Sequence, residues 1–357
     1  MKILVISNMY PSTKDPVYGT FVKEFMDSIV KKNRSGKTEL IAIKGRSKNV
    51  IGKVYKYFIF YFRSLFVLLF FRYDLIYVHT ITYPIIPIKF VSIFKKLPLV
   101  FNTHGADLLG GGKASYLRKL SKPILNQAIS IVSPSNYFKK EIIKFLPDYP
   151  AGKIFVSPSG GVNTTLFSPL NNRKDREMFV LGFVSRIDKG KGWDLFLNAV
   201  NNMRQRYGNI RGIIAGRGGE TKEMLELISQ LDLSNIVDYI GPIPHDKLPS
   251  IFSQMDCFIF PSTRKEESLG LVGLEAMACG IPVIASDSHG PTDYIEDRKN
   301  GLFFSTGDIS SLIDRIDCYY NLTDSEKNII SGNARKSSLK YDTDYIMDKL
   351  YDYLRTL

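Results

Sequence analysis

The sequence predicts an α/β protein made of two doubly wound parallel-sheet domains. Three observations carry that expectation. Short apolar runs of strand composition alternate with longer helical stretches, the pattern that covers both faces of a parallel sheet with helices. The alternation occurs twice along the chain. At 357 residues the chain is also longer than a single core usually grows. Two such domains facing each other make a cleft at the C-terminal ends of their strands, where ligands of doubly wound sheets bind.

In the first half the strand runs are Ile3–Ile6, Leu40–Ile43, Leu75–Val78, Leu99–Phe101, Ile129–Val132 and Ile154–Val156. In the second half they are Phe179–Val184, Gly212–Ala215, Ile236–Ile240, Cys257–Phe260 and Pro282–Ala285. Between the halves lies "NTTLFSPLNNRKDRE", a polar stretch carrying Pro169 and paired asparagines. It sets the expected division: one domain over 1–170, a second over 171–341, and a last helix, 342–357, packing back on the first domain.

Charge is unevenly spread. Residues 1–168 hold 25 Lys and Arg against 8 Asp and Glu, a net of +17, whereas the remainder nets −4. A basic half suits a polyanion or an anionic membrane surface. The stretch "VYKYFIFYFRSLFVLLFF", Val54 to Phe71, is the most apolar in the chain, but Lys56 and Arg63 interrupt it. It falls short of the ~20 apolar residues of a spanning helix. It reads as a core helix or as one lying in a membrane interface, with Lys44, Arg46, Lys48, Lys53 and Arg72 at its flanks. The start, "MKILVISNMYP", is too briefly apolar for a secretory signal and reads as a first strand. Cys257, Cys279 and Cys318 lack metal-ligand spacing and read as reduced, packed thiols of a cytosolic protein.

The chemistry-bearing residues follow strands. After Val184 comes "SRIDKGKGWDLFLNA", where Arg186 and Lys191 stand at a strand–helix turn and make a diphosphate clamp of one planar fork and one point charge. Beyond the next strand, "IAGRGGE" offers Gly216, Gly218 and Gly219, which let backbone approach a ligand. After Phe260 comes "PSTRKEESLGLVGLEAMACG". A helix starting near Leu269–Leu271 presents free N–H groups around Leu269, Gly270 and Leu271, a ready phosphate site. Glu275 sits one turn in and leans back toward the N-terminus, within reach of ribose hydroxyls. Glu267 sits in the loop before it and reaches the group beyond the diphosphate.

These residues resemble a known family. "EESLGLVGLEAMACGIPVIAS", with Glu267 and Glu275 as its paired glutamates, is similar to the motif of family 4 retaining glycosyltransferases, the group 1 enzymes of the GT-B fold. The resemblance extends to "SRIDKGKG" upstream and "SHGPTDYIEDRKNGLFF" downstream, and more loosely to "YPSTKDPVYGTFVKEF" and "FNTHGADL". Ser268 and Leu269 depart from the family's usual Gly-Phe, and "GRGGE" replaces a Gly-Asp-Gly type turn. The resemblance implies that Glu267 binds donor-sugar hydroxyls, Glu275 the ribose, and Arg186 and Lys191 the diphosphate, with amides around Gly270 and with Gly19. It also implies that backbone near Ile243 contacts the base and that His104 faces the donor sugar and acceptor. The implied reaction moves a sugar from a nucleoside-diphosphate sugar, bound by the second domain, to a glycan acceptor, bound by the first, retaining anomeric configuration.

Other classes fit less well. The single Asp-x-Asp, residues 342–344, lies near the C-terminus and reads as a helix cap, so no bound metal is expected, and no cofactor either. "GGGK" at Gly110–Lys113 lacks the Walker spacing, and no Gly-x-Gly-x-x-Gly follows a first strand. A nucleotide-sugar 2-epimerase on the same fold and a non-enzymatic polyanion binder remain as alternatives. The latter lacks nucleic-acid-binding modules, so no nucleic-acid partner is expected. A polyprenyl-pyrophosphate-linked acceptor at the inner face of the cell membrane, used in surface polysaccharide synthesis, suits the basic half.

Overall fold

The computed structural model describes residues 1–16, 18–47, 49–170 and 177–357. Lys48, and residues 171–176 of the polar stretch between the halves, lie outside the described residues. The chain divides into two compact units, Met1–Gly161 with Asp344–Leu357, and Val162–Thr343.

The first unit carries a six-stranded parallel sheet in the order β2-β1-β3-β4-β5-β6. Its strands are β1 (Lys2–Tyr10), β2 (Lys37–Lys44), β3 (Leu75–His79), β4 (Leu99–Asn102), β5 (Ser130–Ser133) and β6 (Ile154–Val156). β3 has all five residues buried, the continuous apolar run expected of a strand covered on both faces. Its register pairs His79 with Asn102, so the C-terminal ends of β3 and β4 stand side by side.

The second unit repeats the architecture in the order β12-β11-β10-β7-β8-β9. Its strands are β7 (Phe179–Val184), β8 (Ile210–Ala215), β9 (Val237–Gly241), β10 (Cys257–Phe260), β11 (Val283–Ser286) and β12 (Gly301–Phe304). Each run read as a strand is one. β12 is the addition. Its run Gly301–Phe304 directly follows "DRKN" and opens on a glycine, so the sequence around it reads as a turn.

The expected division at 170 lies inside the second unit. Phe167 is fully buried in that unit's core. Arg335 donates to the carbonyls of Phe167, Ala278 and Thr164, which ties residues 164–167 to the second unit. The last helix, Thr343–Arg355, inserts Met347, Leu350 and Leu354 among Ile3, Val5, Phe25 and Tyr77 of the first unit.

Helix α1 (Thr20–Lys32) follows β1, and helix α2 (Val50–Phe70) follows β2. α2 is only partly a core helix. Phe60, Ser64 and Leu68 are buried, while Val50, Val54, Phe58, Phe62, Phe66 and Phe70 are all at least half exposed. Those six recur every fourth residue, so successive members are neighbours on the surface and the row winds about 200° around the helix from Val50 to Phe70. Helix α3 (Ile85–Ser92) packs beside α2 and exposes Ile86 and Phe90, with Ile93 and Phe94 just past its end. Cys257 and Cys279 are buried, whereas Cys318 is exposed on the Ile309–Tyr320 helix, against the expectation of three packed thiols.

Candidate active site

In the second unit the turn after β7 and the loop after β10 converge. Lys191 Nζ donates to Glu267 Oε2 at 2.5 Å, with side chains only 16% and 14% exposed. Ser262 Oγ donates to the same carboxylate oxygen at 3.2 Å. Glu266, next in sequence, faces Arg264 instead at 3.8 Å, so the glutamate aimed at Lys191 is Glu267. Arg186 stands apart from this cluster: its largely exposed guanidinium pairs with Asp188 at 2.8 Å. Asp188 in turn accepts from the Gly219 N–H at 2.8 Å, which fixes the turn after β7 against the turn after β8.

The helix after β10 runs from Leu271 to Ala278 and is capped by Gly270 in the left-handed region, φ +79°. A Cβ there would lie 2.9 Å from the Phe260 ring, so only glycine brings the chain onto the helix at this spot. The Tyr294 hydroxyl donates to the Gly270 carbonyl at 3.1 Å and holds the cap. No acidic side chain occupies the first turn, which leaves the positive end of the helix uncompensated. Leu269 is a core residue and Leu271 is half-buried, so both offer backbone rather than side chain. Glu275, one turn in, is 8% exposed, and its Oε1 lies 2.8 Å from His245 Nε2. His245 belongs to the segment after β9, where Ile243 packs half-buried against the core. Gly216, at the end of β8, has φ +130°, and a Cβ there would meet the Ser185 carbonyl at 1.8 Å. That contact seats the two βα turns against each other.

His104 lies in the first unit, just after β4. Its Nε2 is 3.0 Å from Nδ1 of His79, the last residue of β3. The rings stack at 15° with centroids 5.3 Å apart. Phe21 and Phe25 of α1 pack on the pair, Phe21 at 4.5 Å from His104 and Phe25 edge-on at 4.7 Å from His79. Gly19, φ +74°, is the residue from which α1 starts. Burial pushes the His104 pKa down to about 4 and that of His79 well below its usual value, so both rings are neutral. The carboxylate of buried Asp107 accepts from the His104 N–H at 2.9 Å and the Ile81 N–H at 3.2 Å, clasping the two histidine-bearing turns.

The structure thus brings Lys191, Ser262 and Glu267 together, and His245 with Glu275. Sequence reasoning missed Ser262, His245, His79 and Asp107. The signal available for His79 was the one used for His104, a histidine at the end of a strand run. Among the described residues, no three His, Cys, Asp or Glu side chains gather as a metal site would need. Asp342, of the Asp-x-Asp, accepts from the Thr164 hydroxyl at 2.6 Å.

Two family models match the chain. "Glycosyl transferases group 1" matches residues 167–337, and "Glycosyltransferase Family 4" matches residues 31–165. A GDP-mannose-dependent α-(1-6)-phosphatidylinositol monomannoside mannosyltransferase of Mycolicibacterium smegmatis is 27% identical over 60% of this chain and 58% of its own length. A D-inositol 3-phosphate glycosyltransferase of Corynebacterium jeikeium is 34% identical over 38% of this chain and 34% of its own. The chain therefore spans about a third to three fifths of the length of these two relatives. Among solved structures, Anabaena HepE in complex with UDP and glucose aligns over all of both chains with a TM-score of 0.78 at 20% identity. Sucrose-phosphate synthase of Thermosynechococcus elongatus aligns over 100% of this chain and 99% of its own, with a TM-score of 0.80 at 16% identity. At such identities these structures share the fold alone.

Proposed function

Because the chain belongs to the group 1 glycosyltransferases, with family models matching both of its halves, we propose that it transfers a sugar from a nucleoside-diphosphate sugar to a lipid-linked glycan with retention of configuration. The observation that carries the donor site is the half-buried Lys191–Glu267 pair beside the Gly270-capped helix, with Glu275 one turn further on. In this reading Glu275, steadied by His245, binds the ribose. The helix amides at Gly270 and Leu271 and the cations of Lys191 and Arg186 take the diphosphate. Glu267 takes the sugar hydroxyls, backbone near Ile243 and Gly216 frames the nucleoside, and His104 and Gly19 keep the roles the resemblance gives them.

Departure of the diphosphate builds negative charge on its oxygens. Preorganised cations and amides stabilise that charge more in the transition state than in the ground state, and this difference lowers the barrier. Attack on the face the diphosphate leaves, with a leaving phosphate oxygen taking the acceptor proton, accounts for retention without a protein nucleophile. We take the reaction to be metal-independent, because the charge is met by Lys191, Arg186 and the helix amides.

The lipid-linked acceptor rests on three supports. The Mycolicibacterium relative is named for a phosphatidylinositol monomannoside acceptor. The first 168 residues net +17. α2 and α3 expose aromatic and aliphatic side chains beside Lys53, Arg63, Arg72, Lys89 and Lys96. No helix among the described residues is long and apolar enough to cross a membrane. The enzyme in this reading sits peripherally on the cytoplasmic face of an anionic bilayer, with those side chains at headgroup depth.

The test is thermal denaturation with UDP, GDP, ADP, dTDP or CMP, each in magnesium and in EDTA. A nucleoside diphosphate at ~100 times its dissociation constant adds about 2.7 kcal/mol of stability. Stabilisation by one of them, equal in EDTA, followed by an anomerically retained product on NMR, is the expected result. Stabilisation only with magnesium overturns metal independence, and no stabilisation overturns the donor site.

A further inference from the structure

We propose that His79 is a positioning residue that fixes the tautomer and ring orientation of His104, a role resting on the reading that His104 meets the donor sugar. Four observations carry it. His79 is 1% exposed and its Nδ1 lies 3.0 Å from His104 Nε2, a distance at which one ring must donate to the other. The other ring nitrogen of His79, Nε2, is buried with no hydrogen-bond partner. A buried N–H left unpaired is rarer than an acceptor left unpaired. The proton of neutral His79 therefore sits on Nδ1 and points at His104. Nε2 of His104 is then the acceptor, and the single proton of the neutral His104 ring sits on its Nδ1. His104 becomes a ring with one defined donor, and its other nitrogen is occupied by the protein.

The surroundings hold this arrangement. Phe21 and Phe25 pack on the two rings, and Asp107 bonds the backbone of both turns. Thr80, immediately after His79, has φ +73°, which a β-branched residue adopts only at a cost of about 1–3 kcal/mol. Its N–H donates to the Asn102 carbonyl at 2.9 Å and its hydroxyl to Asn8 at 3.1 Å, and these bonds keep the strained turn in place. The strain allows β3 to end with the His79 ring against the segment leaving β4.

The experiment joins spectroscopy to kinetics on the full chain. Two-bond ¹H–¹⁵N spectra of the wild-type protein are expected to show His104 with a proton-bearing Nδ1 and a bare Nε2. The opposite tautomer overturns the proposal without any substitution. His79→Leu is expected to lower kcat ~10-fold or more, the scale of a misplaced reacting group. Stabilisation by the donor nucleoside diphosphate should stay unchanged, and His79→Asn, which keeps an amide donor near the Nδ1 position, should recover most of the loss. If His79→Leu leaves kcat unchanged while His104→Ala abolishes turnover, His79 does not position His104. If His104→Ala itself retains wild-type turnover, the reading of His104 fails, and the role of His79 with it. The asparagine variant and the wild-type spectra keep the test informative if the leucine variant does not fold.

Discussion

At the scale of single residues, the site is a set of polar side chains held by one another. Lys191 has Glu267 as its partner, and Ser262 supports the same carboxylate. Lys191→Ala is expected to reduce turnover by ~10²-fold, the effect of removing one preorganised donor. Unchanged turnover in a steady-state assay would take Lys191 out of the reaction. Gly270→Ala places a methyl 2.9 Å from Phe260 at φ +79°. It is expected to lower stability by about 1–3 kcal/mol, read as a lower unfolding midpoint. A midpoint equal to the wild type's would show that the cap relaxes freely. The paired glutamates and Lys191 were legible because each follows a strand at a spacing that chemistry constrains. His79, Asp107 and His245 were not. Their partners are chosen by sheet order, which sets β3 beside β4 although His79 and His104 are 25 positions apart. Periodicity along the chain carries no information on such neighbours.

At the scale of elements, apolar runs were legible as strands down to the three residues of β6, and β12 was not, because its short apolar run directly follows the turn residues of "DRKNG". The same reasoning divided on α2. Its sequence is apolar on more than one side, so periodicity alone left both a core helix and an interfacial helix open. The structure seats one face and turns the row from Val50 to Phe70 outward. Sedimentation with vesicles of anionic lipid is expected to carry the wild-type protein down. Phe62→Ser with Phe66→Ser should release most of it, and the unfolding midpoint should hold, because both rings are at least half exposed. Sedimentation of the double variant equal to wild type would show that this face does not meet lipid. Raising salt to 1 M shortens the screening length to ~3 Å and should weaken binding further through the basic side chains.

At the scale of the whole molecule, the chain makes two sheets of six strands and returns at its end to the first. The sequence placed the division within the polar stretch, because proline and paired asparagines are the usual marks of a linker. The physical boundary comes earlier, since Phe167 is buried and Arg335 gathers the carbonyls before it. Removing residues 344–357 withdraws Met347, Leu350 and Leu354 from the first unit, each worth ~1.5–3 kcal/mol of burial. Calorimetry of the shortened chain is expected to show the first unit melting far below the second. A single unshifted transition would mean that this helix contributes nothing to the first unit.

The returning helix also sets an order of events on the ribosome. Domains ordinarily fold as they emerge, the earlier one first. Here the earlier unit contains Met347, Leu350 and Leu354, which are translated after the whole of the later one. Until they emerge, the surface formed by Ile3, Val5, Phe25 and Tyr77 stays uncovered, so the half of the protein that is made first is the half that is finished last.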